Sequence, residues 1–255
     1  MKLFKKVCRM LLIAAFWIAV WWILSFAFGN ELLFPTPLVV FKTLIGLLGT
    51  ASFYISAANS LFNILKGLLI ATVAACLTVA LTSRLSLLRE LLLPLMSVIK
   101  ATPVASFIVL AWIFIGASDV PSFIAVLIVF PVIWTNLDEG ISKIDPQLSE
   151  VAQVYGFSPA KKLKLLLLPS LKPYFISALR TSLGLSWKAG IAAEILTMPK
   201  DTVGTQISNA KLYILTPEMF AWTLTVILFS LAMEYGLLAL LDKVGRSQKG
   251  GVSRA

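Results

Sequence analysis

Long runs of apolar residues, separated by short polar or charged breaks, occupy most of the chain. Six of these runs approach or exceed the roughly 20 residues that a helix needs to cross the hydrocarbon core of a bilayer. Apolar residues follow one another within each run instead of alternating with polar ones, which indicates helices rather than the strands of a membrane barrel. The pattern therefore predicts an all-α integral membrane protein with six transmembrane helices, at about 10–28, 57–82, 88–115, 121–137, 171–197 and 218–241.

Two stretches depart from a simple span. The third run contains Pro94 and Pro103, so we expect it to be broken, with its freed backbone groups satisfied by neighbouring helices or a wet cavity. The stretch "LLFPTPLVVFKTLIGLLGT" follows the first run and is too short to cross once its prolines are excluded. Thr36 can cap a helix that Pro37 begins. This predicts either an amphipathic helix at the outer interface or the first turn of a longer second span.

Composition agrees with a membrane protein of one domain. Hydrophobic residues make up 59% of the 255 residues and charged residues only 13%, whereas a soluble domain carries about 25% charged residues. No soluble second domain or low-complexity linker is visible in the sequence. Residues 1–255 are therefore predicted to form a single transmembrane domain whose solvent is largely the lipid bilayer.

Basic residues are distributed unevenly over the predicted loops, and they accumulate on the cytoplasmic side of membrane proteins. If both termini are cytoplasmic, the outer side receives only Lys42, Lys200 and Lys211. The net charge of +10 then reflects topology and attraction to anionic lipids, and nucleic-acid binding is not expected. We predict a bacterial-type cytoplasmic membrane protein whose inner side carries Lys2, Lys5, Lys6, Arg9, Arg84, Arg89, Lys143, Lys161, Lys162, Lys164, Lys172, Lys243, Arg246, Lys249 and Arg254.

The first run could be a cleaved signal peptide, because Ser25-Phe26-Ala27 loosely resembles a cleavage site. Its apolar stretch is longer than the 7–15 residues of a signal-peptide core, and it contains Trp17, Trp21 and Trp22. An uncleaved anchor is the favoured interpretation. The two cysteines, Cys8 and Cys76, suit neither a disulfide nor a metal site.

A polar segment between the fourth and fifth runs, residues 145–169, is here called the elbow. Asp145-Pro146 is a helix start signal, and the helix can run to Tyr155 before Gly156 permits a left-handed turn. Ser158-Pro159 repeats the start signal for a second short helix that runs toward Leu168-Pro169. The elbow carries an apolar patch with no core of its own, formed by Val151, Val154, Tyr155 and Phe157. Such a patch favours a docking site for a partner, and a hairpin folded against the protein's own helix ends is the alternative.

The spacing within the elbow resembles the EAA loop of ABC importer permeases. In that family the pattern is E-A-A, three residues, G, nine residues and I-x-L-P. This chain has Glu150-Val-Ala152, three residues, Gly156, nine residues and Leu166-x-Leu168-Pro169. It departs from the family pattern only at Val151 and Leu166, both of which are mild apolar changes.

Three further stretches are similar to permeases of the sulfonate, nitrate and taurine type. They are "LFPTPLVV", "IKATPVASFIVLAWIFIGAS" and "LGLSWKAGIAAEIL", the last with Trp187 and Ala193-Glu194. The resemblance covers roughly residues 30 to 245 and implies a core like that of type I ABC importer permeases. Relatives of this type also import thiamine precursors and other small metabolites, so the family does not fix the solute.

The resemblance implies a half-transporter that usually pairs as a homodimer, with two cytoplasmic ATPase subunits and an external solute-binding protein. ATP and Mg²⁺ would be bound by the ATPase partner. The elbow would insert into a groove on the ATPase and couple nucleotide-driven closure to the spans. The residues expected to couple are Glu150, Ala152, Tyr155, Gly156, Phe157 and Pro169.

The residues themselves indicate no catalysis in this chain. The sequence has no G-x-x-x-x-G-K-[ST] phosphate loop, no histidine and no cysteine cluster, so the usual ATP cradle and most metal and acid–base sites are missing. Asp138 and Glu139 are adjacent at a predicted inner helix end and are expected to be solvated. No catalytic residue, metal ligand or cofactor site is predicted.

Charged residues within the predicted spans are candidates for a solute path, because a charge at mid-bilayer costs about 2.5–3.5 kcal/mol on insertion scales. Residues spaced three or four apart in the fifth run predict one mixed helical face that lines the solute path or the dimer seam, with Lys188 off to one side. The face consists of Ser177, Arg180, Gly184, Trp187, Ile191 and Glu194. The candidate path consists of Lys100, Arg180, Gly184, Trp187, Lys188 and Glu194. Its lysines and arginine favour an anionic solute. Alternatively, the lysines pair with Glu194 or Glu234 or with helix carbonyls. For Lys66, Glu194 and Glu234, which lie near span ends, snorkelling to the interface is the alternative.

Two other classes of protein remain as alternatives. A stand-alone secondary transporter or channel would also bury charges, but it has no reason to keep the elbow. A membrane enzyme would need a reactive cluster near one interface, and the sequence shows none.

Overall fold

A computed structural model describes the backbone of residues 2–249 and the side chains of residues 7–148 and 150–236. Several basic residues used to predict orientation (Lys2, Lys5, Lys6, Lys243, Arg246, Lys249 and Arg254) lie outside the described side chains. All regular structure in the described backbone is helical. The elements are α1 Lys2–Phe28, α2 Pro37–Leu48, α3 Ala51–Thr82, α4 Ser86–Ala101, α5 Val104–Phe114, α6 Val120–Ser142, α7 Pro146–Val154, α8 Pro159–Lys162, a π-helical turn Leu163–Leu167, α9 Leu168–Thr197, α10 Val203–Leu212 and α11 Thr216–Lys249.

Four of the described helical segments are individually long and apolar enough to cross a membrane: Val7–Phe28, Ala51–Thr82, Val120–Ser142 and Thr216–Gly236. The pair α4 and α5 would form a fifth crossing, bent by 103° at the break between them. Helix α9 has 30 residues and is thus about 45 Å long. The charged residues of α9 lower its mean hydropathy, so composition alone does not identify it as a membrane span. The sixth crossing therefore stays a prediction.

The break in the third predicted span lies at Pro103 and not at Pro94. Proline pushes the preceding residue into extended backbone, and Thr102 adopts φ −81° and ψ 134°. Its hydroxyl and its N–H both donate to the carbonyl of Val98, at 2.8 and 3.0 Å, which satisfies the frayed helix end. Pro94 lies inside the continuous helix α4, so the prediction that it also breaks the span is wrong.

Helix α2 is a separate element, as the first of the two sequence alternatives predicts. The Thr36 hydroxyl accepts a hydrogen bond from the N–H of Val39 at 3.4 Å, and Pro37 occupies the first turn. The helix stops before Gly49, and Thr50 then caps α3 by accepting from the N–H of Phe53 at 3.3 Å. The alternative, in which this stretch is the first turn of a longer second span, is therefore wrong.

Helix α9 lies at the centre of the bundle and contributes to three apolar clusters. Trp187 and Ile191 join a cluster with α2, α3, α10 and α11. Ala178 packs into a second cluster with α3, α4 and α6, and Ala189 and Ala193 pack into a third with α5 and α6. A displacement of α9 therefore disturbs the packing of nearly every other long helix.

Glycine permits the closest helix approaches in this bundle, as small residues commonly do in membranes. A Cβ at Gly67 of α3 would lie 2.4 Å from the carbonyl oxygen of Ser122 and 2.6 Å from Cβ of Ala125 on α6. A Cβ at Gly190 of α9 would lie 2.5 Å from Cγ1 of Ile64 on α3. Helices α3, α6 and α9 thus form a tightly packed core that leaves no room for a methyl group at these positions.

Candidate functional site

The first half of the elbow is a short helix with a defined start and stop. The Asp145 side chain accepts from the N–H of Gln147 at 2.9 Å and caps α7. At the other end the N–H of Gly156 donates to the carbonyl of Gln153, and the N–H of Phe157 donates to that of Ala152. This pair of bonds is a Schellman motif, and it requires the left-handed conformation that Gly156 adopts at φ +60°. The predicted glycine turn is confirmed.

The elbow buries two residues of the EAA pattern and exposes others. Ala152 and Leu166 are buried against the protein. Val154 and Tyr155 are 84% and 74% exposed, and Glu150 and Val151 are also exposed. The elbow is therefore not a hairpin that hides its apolar residues against neighbouring helix ends.

A shallow concavity lies on the elbow, with a volume of about 300 Å³. It is lined by Glu150, Ala152, Gln153, Phe157 and Lys162. Phe157 is half-buried, and the ammonium group of Lys161 lies 4.4 Å from its ring centroid. A cation over an aromatic face is attractive, so this contact holds the ring in place beside the concavity.

The second half of the elbow is not a separate short helix. Ser158 caps α8, accepting from the N–H of Lys161 at 3.3 Å, but the helix then continues through the π-helical turn directly into α9. Proline lacks the N–H for the usual bond to the carbonyl four residues earlier. At Pro169 the chain absorbs this defect by widening the preceding turn, in which the N–H of Leu168 donates to the carbonyl of Leu163. The predicted helix stop near Pro169 is thus wrong.

The two helices that join the elbow to the bundle are pressed together at its base. A Cβ at Gly140 of α6 would lie 2.9 Å from Cδ2 of Leu171 and from ring atoms of Tyr174 on α9. Close by, Glu139 accepts a hydrogen bond from Lys143, and this bond raises the pKa of Lys143. The side chains of Leu171 and Tyr174 therefore pack directly on the backbone of α6 at the base of the elbow, where only glycine leaves room for them.

The expectation that Asp138 is solvated is wrong. Its carboxylate forms a bidentate ion pair with Arg89 of α4, with Nε to Oδ1 at 2.7 Å and Nη2 to Oδ2 at 2.9 Å. This pair ties the start of α4 to the end of α6, at the same end of the bundle as the elbow.

The residues predicted to share one face of α9 have different surroundings. Arg180 is exposed and Gly184 is half-buried, and Lys188, which the sequence places off this face, is also exposed. Trp187 is buried, and its indole N–H donates to the carbonyl of Val226 on α11 at 3.0 Å. Glu194 is also fully buried. The predicted face is therefore exposed toward the elbow and buried at the opposite end.

Glu194 belongs to a buried network that sequence reasoning missed. The Ser60 hydroxyl of α3 donates to Oε2 of Glu194 at 2.7 Å, and the N–H of Gly204 donates to the same oxygen at 3.0 Å. Ser60 in turn accepts from the N–H of Val203 at 2.9 Å. A Cβ at Gly204 would lie 2.3 Å from Cβ of Glu194, so α10 packs directly on α9. Glu194 neither snorkels nor pairs with a lysine among these bonds.

The remaining embedded charges lie outside the Glu194 network. Lys100 of α4 donates to the Thr135 hydroxyl of α6 at 2.7 Å. Lys66 lies 3.4 Å from Asp119, which is an exposed ion pair. Glu234 is exposed on α11. Lys100, Arg180 and Lys188 thus remain accessible from outside the single chain, whereas Trp187 and Glu194 do not.

The family described as "Binding-protein-dependent transport system inner membrane component" matches residues 67–246, which include the elbow and the whole of α9. The chain belongs to this family. It is an ABC transporter permease subunit of the importing kind, as the EAA resemblance predicts. The prediction of an all-α membrane fold is also confirmed.

Two curated permeases illustrate the similarity. The permease is 24% identical to the taurine transport system permease protein of Escherichia coli over 231 residues, which cover 88% of this chain and 83% of that protein. It is 38% identical to the bicarbonate transport system permease protein of Synechococcus elongatus over 93 residues, 34% of each chain. These relatives are transport subunits.

A solved structure shares the fold of this permease. The crystal structure of an amino acid ABC transporter with histidines superimposes with a TM-score of 0.60 at 14% identity. The match covers 77% of this permease and 94% of that chain. At this identity the likeness supports the helical architecture alone.

Proposed function

We propose that the elbow docks this permease onto a separate ATPase subunit and transmits the ATPase's closure to the transmembrane helices. The observation that carries the proposal is that some apolar residues of the elbow are buried while others are exposed. Ala152 and Leu166 are buried and fix its shape, while Val154 and Tyr155 are almost fully presented to the outside. Exposed apolar patches on an ordered segment are typical of partner sites.

The remaining elbow residues have roles that follow from their positions. Gly156 maintains the turn, Phe157 supports the concavity, and Glu150 supplies a charge at its rim. Pro169 causes the π-helical turn that lets the elbow continue into α9. The ATPase would bind ATP and Mg²⁺, and this permease would supply the surface that the ATPase moves.

The exposed charges of α9 support a pairing with a second copy of the chain. Lys188 is 20 residues from the start of α9 and nine from its end, well inside the membrane if α9 spans it, yet it is exposed on the single chain. A charge facing lipid at that depth costs about 2.5–3.5 kcal/mol on insertion scales. A homodimer that encloses this face in a wet path would remove that cost. Trp187 and Glu194 would then support the path from behind, and Gly184 would widen it.

An anionic solute fits the side chains that line such a path. Three positively charged side chains are exposed on the chain: Lys100, Arg180 and Lys188. The similar proteins are named for the transport of taurine, which carries a sulfonate, and of bicarbonate. A small anion delivered by a solute-binding protein at the end opposite the elbow is the proposed cargo. In this arrangement both termini and the elbow lie in the cytoplasm of a cell with an inner membrane.

The experiment that tests the docking site compares two equally exposed tyrosines. Tyr155 on the elbow and Tyr213 at the opposite end of the bundle are each 74% exposed. The tagged permease, a Tyr155→Ser variant and a Tyr213→Ser variant would be purified from native membranes in mild detergent. We expect the ATPase to co-purify with the parent and with the Tyr213 variant but to be strongly depleted from the Tyr155 variant.

Two results would contradict the proposal. Equal depletion in both variants would show a general loss of assembly, and equal retention in both would show that the elbow patch does not dock the ATPase. Because both side chains are exposed, neither substitution is expected to change the folding of the permease itself.

A further inference from the structure

A second concavity, with a volume of about 350 Å³, lies at the elbow end of the bundle. It is formed where α3 ends, α4 begins and α6 ends. Its polar side chains include Arg84, Ser86, Arg89 and Asp138. The function proposed for the elbow and for α9 does not use this cavity.

The charge in this cavity is positive. Arg89 and Asp138 are fully engaged with each other through two hydrogen bonds, so they neutralise one another. Arg84 has no ion-pair partner among the described residues and is exposed at the cavity. The cavity therefore presents one uncompensated guanidinium group, which is well suited to bind the oxygens of a phosphate.

Backbone and hydroxyl donors lie beside this guanidinium group. Leu85 at the N-cap of α4 offers no side-chain cap, so the N–H groups of the first turn are not capped from within the helix. The Ser86 hydroxyl also lines the cavity at this turn. These donors add to the attraction of Arg84 for an anion.

The surroundings of the cavity are apolar and exposed. Three leucines adjoin cavity residues in the chain and are largely exposed: Leu81, Leu85 and Leu87, at 55%, 55% and 69%. Leu81 lies at the end of α3, which is long and apolar enough to span the membrane, and Leu85 and Leu87 lie at the start of α4. A ligand held here would therefore have its phosphate at the arginine and an apolar portion along these leucines.

We propose that this cavity binds the phosphate of an anionic phospholipid headgroup. Basic pockets between helix ends at a membrane surface commonly hold such lipids. The cavity includes Ile141 and Ser142, which lie at the end of α6, a few residues before the elbow. The bound lipid thus braces the junction of α4 and α6 from which the elbow emerges.

The test uses the full-length permease in detergent and counts bound lipid by native mass spectrometry. Phosphatidylglycerol and phosphatidylcholine with identical acyl chains are titrated separately. We expect the parent to retain phosphatidylglycerol in preference to phosphatidylcholine. Loss of one basic residue near a membrane surface weakens anionic lipid binding by about fivefold, so Arg84→Gln should reduce retention by that factor.

Two further variants keep the result interpretable. Ser86→Asp places a negative charge in the cavity but suits the first turn of a helix, so it should release the lipid without unfolding α4. Lys211→Gln removes an exposed charge at the opposite end of the bundle and should leave lipid binding unchanged.

Three outcomes would overturn the proposal. The first is equal phosphatidylglycerol retention by the parent and by the Arg84→Gln and Ser86→Asp variants. The second is displacement of the lipid by millimolar inorganic phosphate that then binds in its place, which would identify a soluble ligand. The third is unchanged lipid retention together with loss of ATPase co-purification in the Arg84 variant, which would make the cavity a subunit contact. The first two outcomes do not depend on whether the elbow docks the ATPase.

Discussion

The Ser60 hydroxyl lies 2.7 Å from Oε2 of Glu194, and this hydrogen bond joins α3 to α9 where both pack against α10. The same hydroxyl accepts the N–H of Val203, and the same carboxyl oxygen accepts the N–H of Gly204. Two side chains thereby hold the first turn of α10 without any contact with solvent. The end of the bundle opposite the elbow is therefore fixed by polar contacts as well as by packing.

Ser60→Ala should destabilise the permease because it removes partners from buried groups. The N–H of Val203 loses its acceptor and Glu194 loses a donor, and an unsatisfied buried group costs about 1–3 kcal/mol. Thermal unfolding in detergent measures the loss as a lower Tm. Ser97→Ala is the matched control, because the Ser97 hydroxyl is exposed and bonds only within its own helix. Equal Tm values for the two variants would contradict the structural role of Ser60.

Gly156→Ala should weaken the elbow through backbone strain alone. A Cβ at Gly156 would meet no atom within 4 Å, but the residue has φ +60°. The left-handed conformation costs a non-glycine residue about 1–2 kcal/mol. We expect less ATPase to co-purify with the alanine variant.

Gly156→Asn is the control for this prediction, because asparagine tolerates the left-handed region better than alanine does. It should restore most of the co-purified ATPase. If the asparagine and alanine variants co-purify equally small amounts of ATPase, backbone strain at this turn does not control ATPase binding.

Neutralising the exposed charges of α9 should impair transport without impairing assembly. Arg180→Gln together with Lys188→Gln removes two positive charges from the proposed path. Charge lining a cleft raises the capture rate of an oppositely charged solute by 10- to 1,000-fold, so uptake of a small alkylsulfonate anion such as ethanesulfonate should fall by about tenfold or more. Uptake would be measured in membrane vesicles that contain the complete complex, with Lys200→Gln as the control. Unchanged sulfonate uptake in the double variant would remove the basis for an anionic cargo, and a cation or neutral metabolite would become the better candidate.

Gly67→Ala and Gly46→Ala should have opposite effects on stability. A methyl group at Gly67 would lie 2.4 Å from the carbonyl oxygen of Ser122, whereas one at Gly46 of α2 meets nothing within 4 Å. Overpacking of a well-packed core costs about 1–3 kcal/mol, so Gly67→Ala should lower the Tm. Alanine at Gly46 should raise it slightly, because glycine in a helix is less favourable by about 1 kcal/mol. A tolerated Gly67→Ala would mean that α3 and α6 are free to separate.

Local backbone chemistry made the elbow and α2 predictable from sequence. Thr36-Pro37, Asp145-Pro146 and Ser158-Pro159 each begin a helix as expected, and Gly156 turns the chain. Each of these signals acts over three or four residues. The helix stop expected at Pro169 failed because one wide turn accommodates the missing N–H.

Contacts between distant parts of the chain were not predictable in the same way. Arg89 and Asp138 are 49 positions apart, and Ser60 and Glu194 are 134 apart. Nothing in helical periodicity indicates which helices become neighbours. The sequence offered two signals for the Glu194 network: Ser60 on an apolar helix, and Gly204 shortly after the threonine that caps α10. Neither signal indicates that the residue contacts Glu194.

The residues chosen for the face of α9 lie within one sector of the helix, but neighbouring helices cover only part of its length. From Ser177 to Glu194 these residues advance 17 positions in five steps, so the row drifts by about 100° around the helix. Arg180 and Glu194 are 14 positions apart, which places them within about 40° of each other. Arg180 is exposed whereas Glu194 is buried, because α3 and α10 pack against α9 at Glu194. Periodicity gives the angle of a residue around its helix, but it does not show which part of the helix is covered by neighbours.

The uninterrupted helical path from Pro159 to Thr197 makes the elbow and the Glu194 network parts of one rod, about 60 Å long. This exceeds the roughly 40–45 Å between the two headgroup surfaces of a bilayer. A rod of this length that pivots at the elbow moves its far end by about 1 Å for each degree of tilt. The Ser60–Glu194 bond is 2.7 Å long, and a hydrogen bond is lost once the separation reaches about 3.6 Å. A tilt at the elbow that α3 does not follow would therefore strain a polar contact at the opposite side of the membrane.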